Sequence, residues 1–155
     1  MLSSSLQENI DQLHIFLPIG KSFDLFTREL YIGRRKAFLL GINGFCDTDA
    51  LQKIIEELQK YDPIKTIRSI SYSQVEFSDS VRKIVDKVLS GLSLLLIDGF
   101  EKGVLLDVRS YPARSMEEPD MERSTRGARD GFVETLVTNC NLIRRRIRSP
   151  HMTFQ

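Results

Sequence analysis

The sequence predicts an α/β fold, a mixed sheet of about four strands flanked by helices in a single compact domain. Three observations carry that expectation. Apolar residues recur at helical spacing in four separate stretches. Between them lie short runs rich in aromatic, β-branched or consecutive leucine residues. Glycine, proline and Asn-Gly or Asp-Gly pairs punctuate nearly every change of pattern, as turn chemistry requires.

Taken in order, Leu6, Ile10, Leu13 and Leu17 form a modest helical stripe that Pro18 and Gly20 close. FDLFTRELYI (23–32) and KAFLLGI (36–42) read as a hairpin with Gly33 at its turn. Asp47 or Thr48 caps a helix whose single apolar face carries Leu51, Ile54, Ile55, Leu58 and Tyr61, and Pro63 ends it. Residues 64–77 read as a short strand. A second capped helix starts at Ser78, with Val81, Ile84, Val85, Val88 and Leu89 inward and Gly91 as its stop. LSLLLI (92–97) is a continuous apolar strand of the kind buried on both faces, and VLLDVRSY (104–111) follows it. The last helix spans about 131–148, with Phe132, Leu136, Val137, Cys140, Ile143 and Ile147 as its expected buried stripe. FLLGINGF (38–45) and SLLLIDGF (93–100) echo one another, which shared turn chemistry explains without duplication.

Composition narrows the function. Hydrophobic residues make up 41% and charged residues 28% of 155, the profile of a soluble globular chain. The 22 basic and 21 acidic residues leave a net charge of +1, which argues against a dedicated nucleic-acid binder. Cys46 and Cys140 are far apart, and His14 and His151 are the only histidines, so neither a structural zinc site nor another metal or cofactor is expected. The two thiols read as buried small apolar residues. The N-terminus lacks a basic stretch and a cleavage site, so it is not read as a secretory signal. The longest apolar run is far below the roughly 20 residues of a membrane span.

Catalytic motifs are weak. Gly20-Lys21-Ser22 resembles the end of a P-loop, but Ile15 stands where the first glycine belongs, so the loop cannot wrap phosphates with its amides. Neither histidine has a neighbour that would orient it as a base. Asp98 in a turn and Asp107, alternating with Leu106 and Val108 on a strand, read as structural rather than as an acid–base pair. No enzyme is expected.

The unusual chemistry lies late in the chain. Glu117, Glu118, Asp120 and Glu122 face Arg114, Arg123, Arg126 and Arg129 in number, and planar guanidinium groups suit paired carboxylates. Gly127 and Gly131 permit close backbone approach. Asp130 and Glu134 precede the last helix, and Arg144, Arg145, Arg146 and Arg148 end it, both favoured by the helix dipole. Arg126, Arg129, Asp130 and Glu134 are expected to form an ion-pair hub. Arg144, Arg145 and Arg146 are expected to be either a solvated helix end or a docking surface for another module, another subunit or anionic lipid.

The stretch PARSMEEPDMERSTRGARDGFVETLVTNCNLIRRRIRSP resembles the signature of the spore germinant-receptor A-subunit family of endospore-forming bacteria. The matching positions are Glu118, Pro119, Arg126, Gly127, Arg129, Asp130, Gly131, Phe132, Glu134, Asn139 and 142–147. GKSFDLFTREL (20–30), INGFCD (42–47) and DVRSYPAR are similar to the branch of that family represented by stage V sporulation protein AF. The resemblance implies a non-enzymatic, cytoplasmic N-terminal part of a polytopic inner-membrane protein of the spore, acting in complex assembly or in ion release during germination. Its expected layout is a helical lead-in (1–19), the α/β domain (20–150) and a tail (151–155) leading to a further subdomain and a membrane domain. Other subunits of a membrane complex, or self-association, are the implied partners. Arg123, Arg126, Gly127, Arg129, Asp130, Gly131, Glu134, Asn139, Arg144, Arg145 and Arg146 are the implied contact residues. The alternative is a receptor A subunit whose soluble domain helps to sense a small-molecule germinant.

Overall fold

A computed structural model describes residues 1–60, 75–110 and 135–155. The elements run α1 (Leu6–Phe16), β1 (Leu25–Ile32), β2 (Arg35–Ile42), α2 (Thr48–Lys60), β3 (Val75–Ser78), α3 (Val81–Leu89), β4 (Ser93–Ile97), β5 (Gly103–Leu106) and α4 (Leu136–Arg146). The sheet has five strands in the order β1-β2-β4-β5-β3, and every pairing is antiparallel. The α/β class expected from the pattern holds, with five strands where about four were expected, and β3 lies at the end of the 64–77 stretch read as a strand.

Side-chain alternation divides the sheet between two cores. Phe38, Leu40, Leu94, Leu96 and Leu105 face α1 and α3. Ala37, Leu39, Leu95, Ile97, Val104 and Leu106 face the opposite way, onto α2. The continuous leucine run of β4 is therefore buried on both faces, because successive strand residues point to opposite sides. Apolar burial at roughly 25 cal/mol per Å² is the main force here.

Local signals set the ends of the helices. The Asp47 carboxylate accepts bonds from the Asp49 and Ala50 amides at 3.0 Å each, capping α2. The cap of α3 is Ser80, whose side chain accepts from the Lys83 amide. Ser78, the expected cap, instead ends β3, and its hydroxyl accepts from the Ser80 amide at 3.2 Å. At the other end of α3, Gly91 donates to the Val88 carbonyl and Leu92 to that of Lys87, the paired closure of a Schellman motif.

β2 and β4, which carry the echoed sequence, are neighbours paired Ala37 to Ile97 through Leu40 to Leu94. Both leave through a glycine of positive φ, Gly44 at 78° and Gly99 at 77°. The repetition is turn chemistry on two adjacent strands. Asp98 has a structural place in its turn: its carboxylate accepts from the Leu6 amide at 3.2 Å and its carbonyl from Arg35 at 2.9 Å.

Several expectations lie outside the described residues: the 64–74 part of the expected 64–77 strand, the end of α2 at Tyr61 and Pro63, and all of 111–134. The expected hub of Arg126, Arg129, Asp130 and Glu134 is among them, as are Arg123, Gly127 and Gly131.

Candidate functional site

The feature that sets the last helix apart is what it buries. The expected apolar stripe is largely outward: Leu136, Val137 and Ile147 are exposed. The buried face is instead Cys140, Asn141 and Arg144, three residues at helical spacing. α4 contributes to neither apolar core cluster.

Arg144 is 0% exposed and sits against Asp24, in the loop between α1 and β1. Its Nε donates to Asp24 Oδ2 at 2.6 Å and its Nη2 to Oδ1 at 3.2 Å, a bidentate guanidinium–carboxylate pair. The remaining donors serve the chain beyond the helix. Nη1 donates to the Ser149 carbonyl at 3.0 Å and Nη2 to that of Met152 at 2.8 Å. The guanidinium carbon also lies 5.1 Å from the centroid of the Phe154 ring, within cation–π reach.

The carboxylate is satisfied from the other side. Ser22 donates its hydroxyl to Asp24 and accepts from the Phe154 amide at 2.8 Å. The Phe23 amide donates to the Phe154 carbonyl at 3.1 Å, and the two phenyl rings stand 6.0 Å apart. One buried guanidinium thus ties α4, the 22–24 loop and the 149–154 segment into a single knot. Removing two charges from water is costly, and such a pair is stable only when the leftover donors and acceptors are filled, as they are here.

Arg144 was expected on an outward docking surface beside Arg145 and Arg146. The structure corrects this: Arg145 and Arg146 are exposed, whereas Arg144 points inward. Each residue along a helix is rotated by about 100° from the one before, so three consecutive arginines cannot share one face. Asn139, on the same helix, is half-buried.

Asp24 and Ser22 were not singled out by sequence. The available signal was a lone carboxylate inside the aromatic run Phe23-Asp24-Leu25-Phe26, since such an acid is buried only with a partner. Gly20-Lys21-Ser22 therefore serves this knot through Ser22.

α4 also leans on the β2 exit. A Cβ at Gly44 would stand 2.1 Å from Asn141 Nδ2, so the helix approaches bare backbone there. Asn141 Oδ1 is buried without a hydrogen-bond partner. Cys140 and Cys46 are both free thiols. Burial pushes each thiol pKa up, and for Cys140 the charge on Asp24 adds to the rise. Neither is an activated nucleophile.

Two carboxylates elsewhere are held by bases. Glu76 meets Lys83 at 2.6 Å and Lys87 at 2.8 Å, and these hydrogen bonds hold its carboxyl below the usual range. Asp107 is likewise lowered by its hydrogen bonds to Arg109, one of them 2.6 Å from Nε. Among the described residues no cluster of three or more histidine, cysteine or acidic side chains is arranged to hold a metal, and no helix is long and apolar enough to cross a membrane.

Two of the hollows among the described residues bear on function. One, of about 360 Å³, is lined by Phe26, Leu39, Leu51 and Ile55 with Arg28 and Asn43 among its polar groups. The other, of about 830 Å³, lies between the end of α1, α3 and the pinned 150–153 segment.

The family described as "Bacillus/Clostridium GerA spore germination protein" matches residues 14–155. Stage V sporulation protein AF of Bacillus subtilis (strain 168) is 39% identical over 143 residues, which are 86% of this chain and 29% of that protein. Spore germination protein B1 of the same organism is 33% identical over 162 residues, 99% of this chain and 34% of that protein. The crystal structure of the N-terminal domain of the A subunit of the Bacillus megaterium spore germinant receptor GerK3 superposes with a TM-score of 0.70 at 24% identity. That match covers 98% of this chain and 58% of the solved one, and the chain spans about a third of the length of the curated relatives it matches.

Proposed function

The chain belongs to the GerA spore germination protein family, and from that premise we propose that it is a non-enzymatic assembly module, lying on the cytoplasmic side of the inner spore membrane, whose last helix is a contact surface for the rest of a germination complex. The single observation that carries the proposal is that α4 is held by polar rather than apolar side chains. Arg144 is locked inward on Asp24, while Leu136 and the C-cap Ile147 are exposed, as are Arg145 and Arg146. Exposed apolar side chains accompanied by guanidinium groups are a common composition for a protein interface. A helix that needs its apolar residues for its own fold would not leave two of them in water.

In this reading the knot sets the direction of the 149–154 segment, which we take to lead into a further subdomain and a membrane-spanning part. Complex assembly or control of ion release during germination would be transmitted through that fixed exit. Arg126, Arg129, Asp130 and Glu134 would add contacts to the complex.

The test is charge reversal at Arg145→Glu and Arg146→Glu in the full-length protein, with Arg144 kept. The domain melts as before, and co-purification with its complex partners falls by about tenfold or more, as loss of a charged interface rim with an apolar centre would give. Undiminished co-purification overturns the proposal.

A second reading, germinant sensing by this domain, has one observation in its favour. The 360 Å³ hollow has apolar walls and a few polar groups, the composition of a small-ligand pocket. A germinant that raises the melting temperature of the chain, with the rise abolished by Leu39→Trp, would support it.

A further inference from the structure

The larger hollow carries an inference that does not depend on the assembly reading. Three stretches remote in sequence build it: residues 14–21 at the end of α1, one face of α3, and the 150–153 segment that Arg144 holds in place. Its volume of about 830 Å³ falls within the range of small-molecule sites. What lines it is chemically lopsided. His14, Lys21, Arg82 and His151 all face the hollow, against a single acid, Asp86. None of the four bases is in an ion pair with a described residue. Lys83, Lys87, Arg109 and Arg144, by contrast, are each paired with an acid.

Between the bases lies apolar surface. Ile15 is 77% and Phe16 49% exposed, and Leu17 and Val85 line the hollow with them. Exposed isoleucine and phenylalanine at a helix end gain nothing from water, and a concave wall offers them to a ligand. We propose that this hollow is a binding site for a small apolar carboxylate, its hydrocarbon part against Phe16, Leu17 and Val85 and its carboxylate among Lys21, Arg82 and the two histidines. The hollow shape disfavours a flat bilayer, which Ile15 and Phe16 would meet only at the rim.

The probe is 2-naphthoate, with 2-naphthalenemethanol as its neutral counterpart, titrated into the isotope-labelled chain and followed by amide chemical shifts. The expected result is saturable binding of naphthoate with shifts centred on residues 14–21, 82–86 and 150–153. Binding weakens by about tenfold for the alcohol and for the Lys21→Glu, Arg82→Glu double variant, the size expected for losing a charge-assisted contact. Arg34→Glu, which changes charge at the β1–β2 turn, leaves affinity unchanged and controls for net charge. Equal affinity for the alcohol, indifference to the double variant, or absence of saturable binding overturns the assignment. So does much tighter binding of an acidic peptide than of naphthoate, which would make the hollow a polypeptide dock.

Discussion

α3 and α4 are helices of similar length, 9 and 11 residues, held to the domain by opposite means. α3 buries Val81, Ile84, Val85, Val88 and Leu89 and is closed by a serine cap and a glycine stop. α4 buries Cys140, Asn141 and Arg144, has no side-chain bond at its N-cap Thr135, and leaves Leu136 and Val137 exposed. One is anchored by the hydrophobic effect, spread over many contacts. The other is anchored by one ion pair with its satellite hydrogen bonds. Spread contacts tolerate the loss of one member, whereas a buried pair does not, because the partner left behind is an uncompensated charge.

The largest break in that comparison is Arg144→Ala. It should cost about 3–5 kcal/mol, the range for orphaning a buried charge, and it should free the 149–154 segment. Thermal melts and amide exchange at Met152 and Phe154 read both effects. Next comes Ser80→Ala, which removes the cap of α3 and should cost about 1 kcal/mol while leaving α4 intact.

Acid offers a smaller probe of the α3 side. Glu76 has its folded pKa lowered by Lys83 and Lys87, so its stabilising contribution is present above the ordinary glutamate pKa and is lost as pH falls through the lower folded value. Stability should therefore drop slightly below about pH 4.3 in the native chain, and that increment should vanish in Glu76→Gln. The smallest effect is expected from Leu136→Ser with Ile147→Ser. As exposed positions these should shift stability by no more than about 0.5 kcal/mol each, although a true core stripe would cost several times that. A large loss would restore α4 to the ordinary pattern and remove the basis for its contact role.

The same contrast explains how much was legible in the sequence. Helical and strand periods report where apolar side chains go, so α1, α2, α3 and the doubly buried β4 could be placed from spacing alone. Ser80 displaced Ser78 as the cap because β3 runs on through Ser78, a boundary that serine preference cannot resolve. For α4 the period misled: Leu136, Val137 and Ile147 form a stripe in sequence, yet the buried face is fixed by Asp24, 120 positions earlier. No local pattern encodes a partner at that distance. The lone acid within Phe23-Asp24-Leu25-Phe26 and the unusual density of arginine were each half of the signal, visible apart but joined only by the fold. The resemblance to the germination family pointed to the arginine run as important without telling the inward arginine from its outward neighbours.

The knot itself is tested most directly by a double-mutant cycle on Asp24→Ala and Arg144→Ala, read by denaturant unfolding of the chain. If the two side chains satisfy each other in the interior, each single loss is large and the double variant is scarcely worse than either, with a coupling of at least about 1.5 kcal/mol. Strictly additive losses would contradict the account, showing that α4 is held in place by something other than this pair.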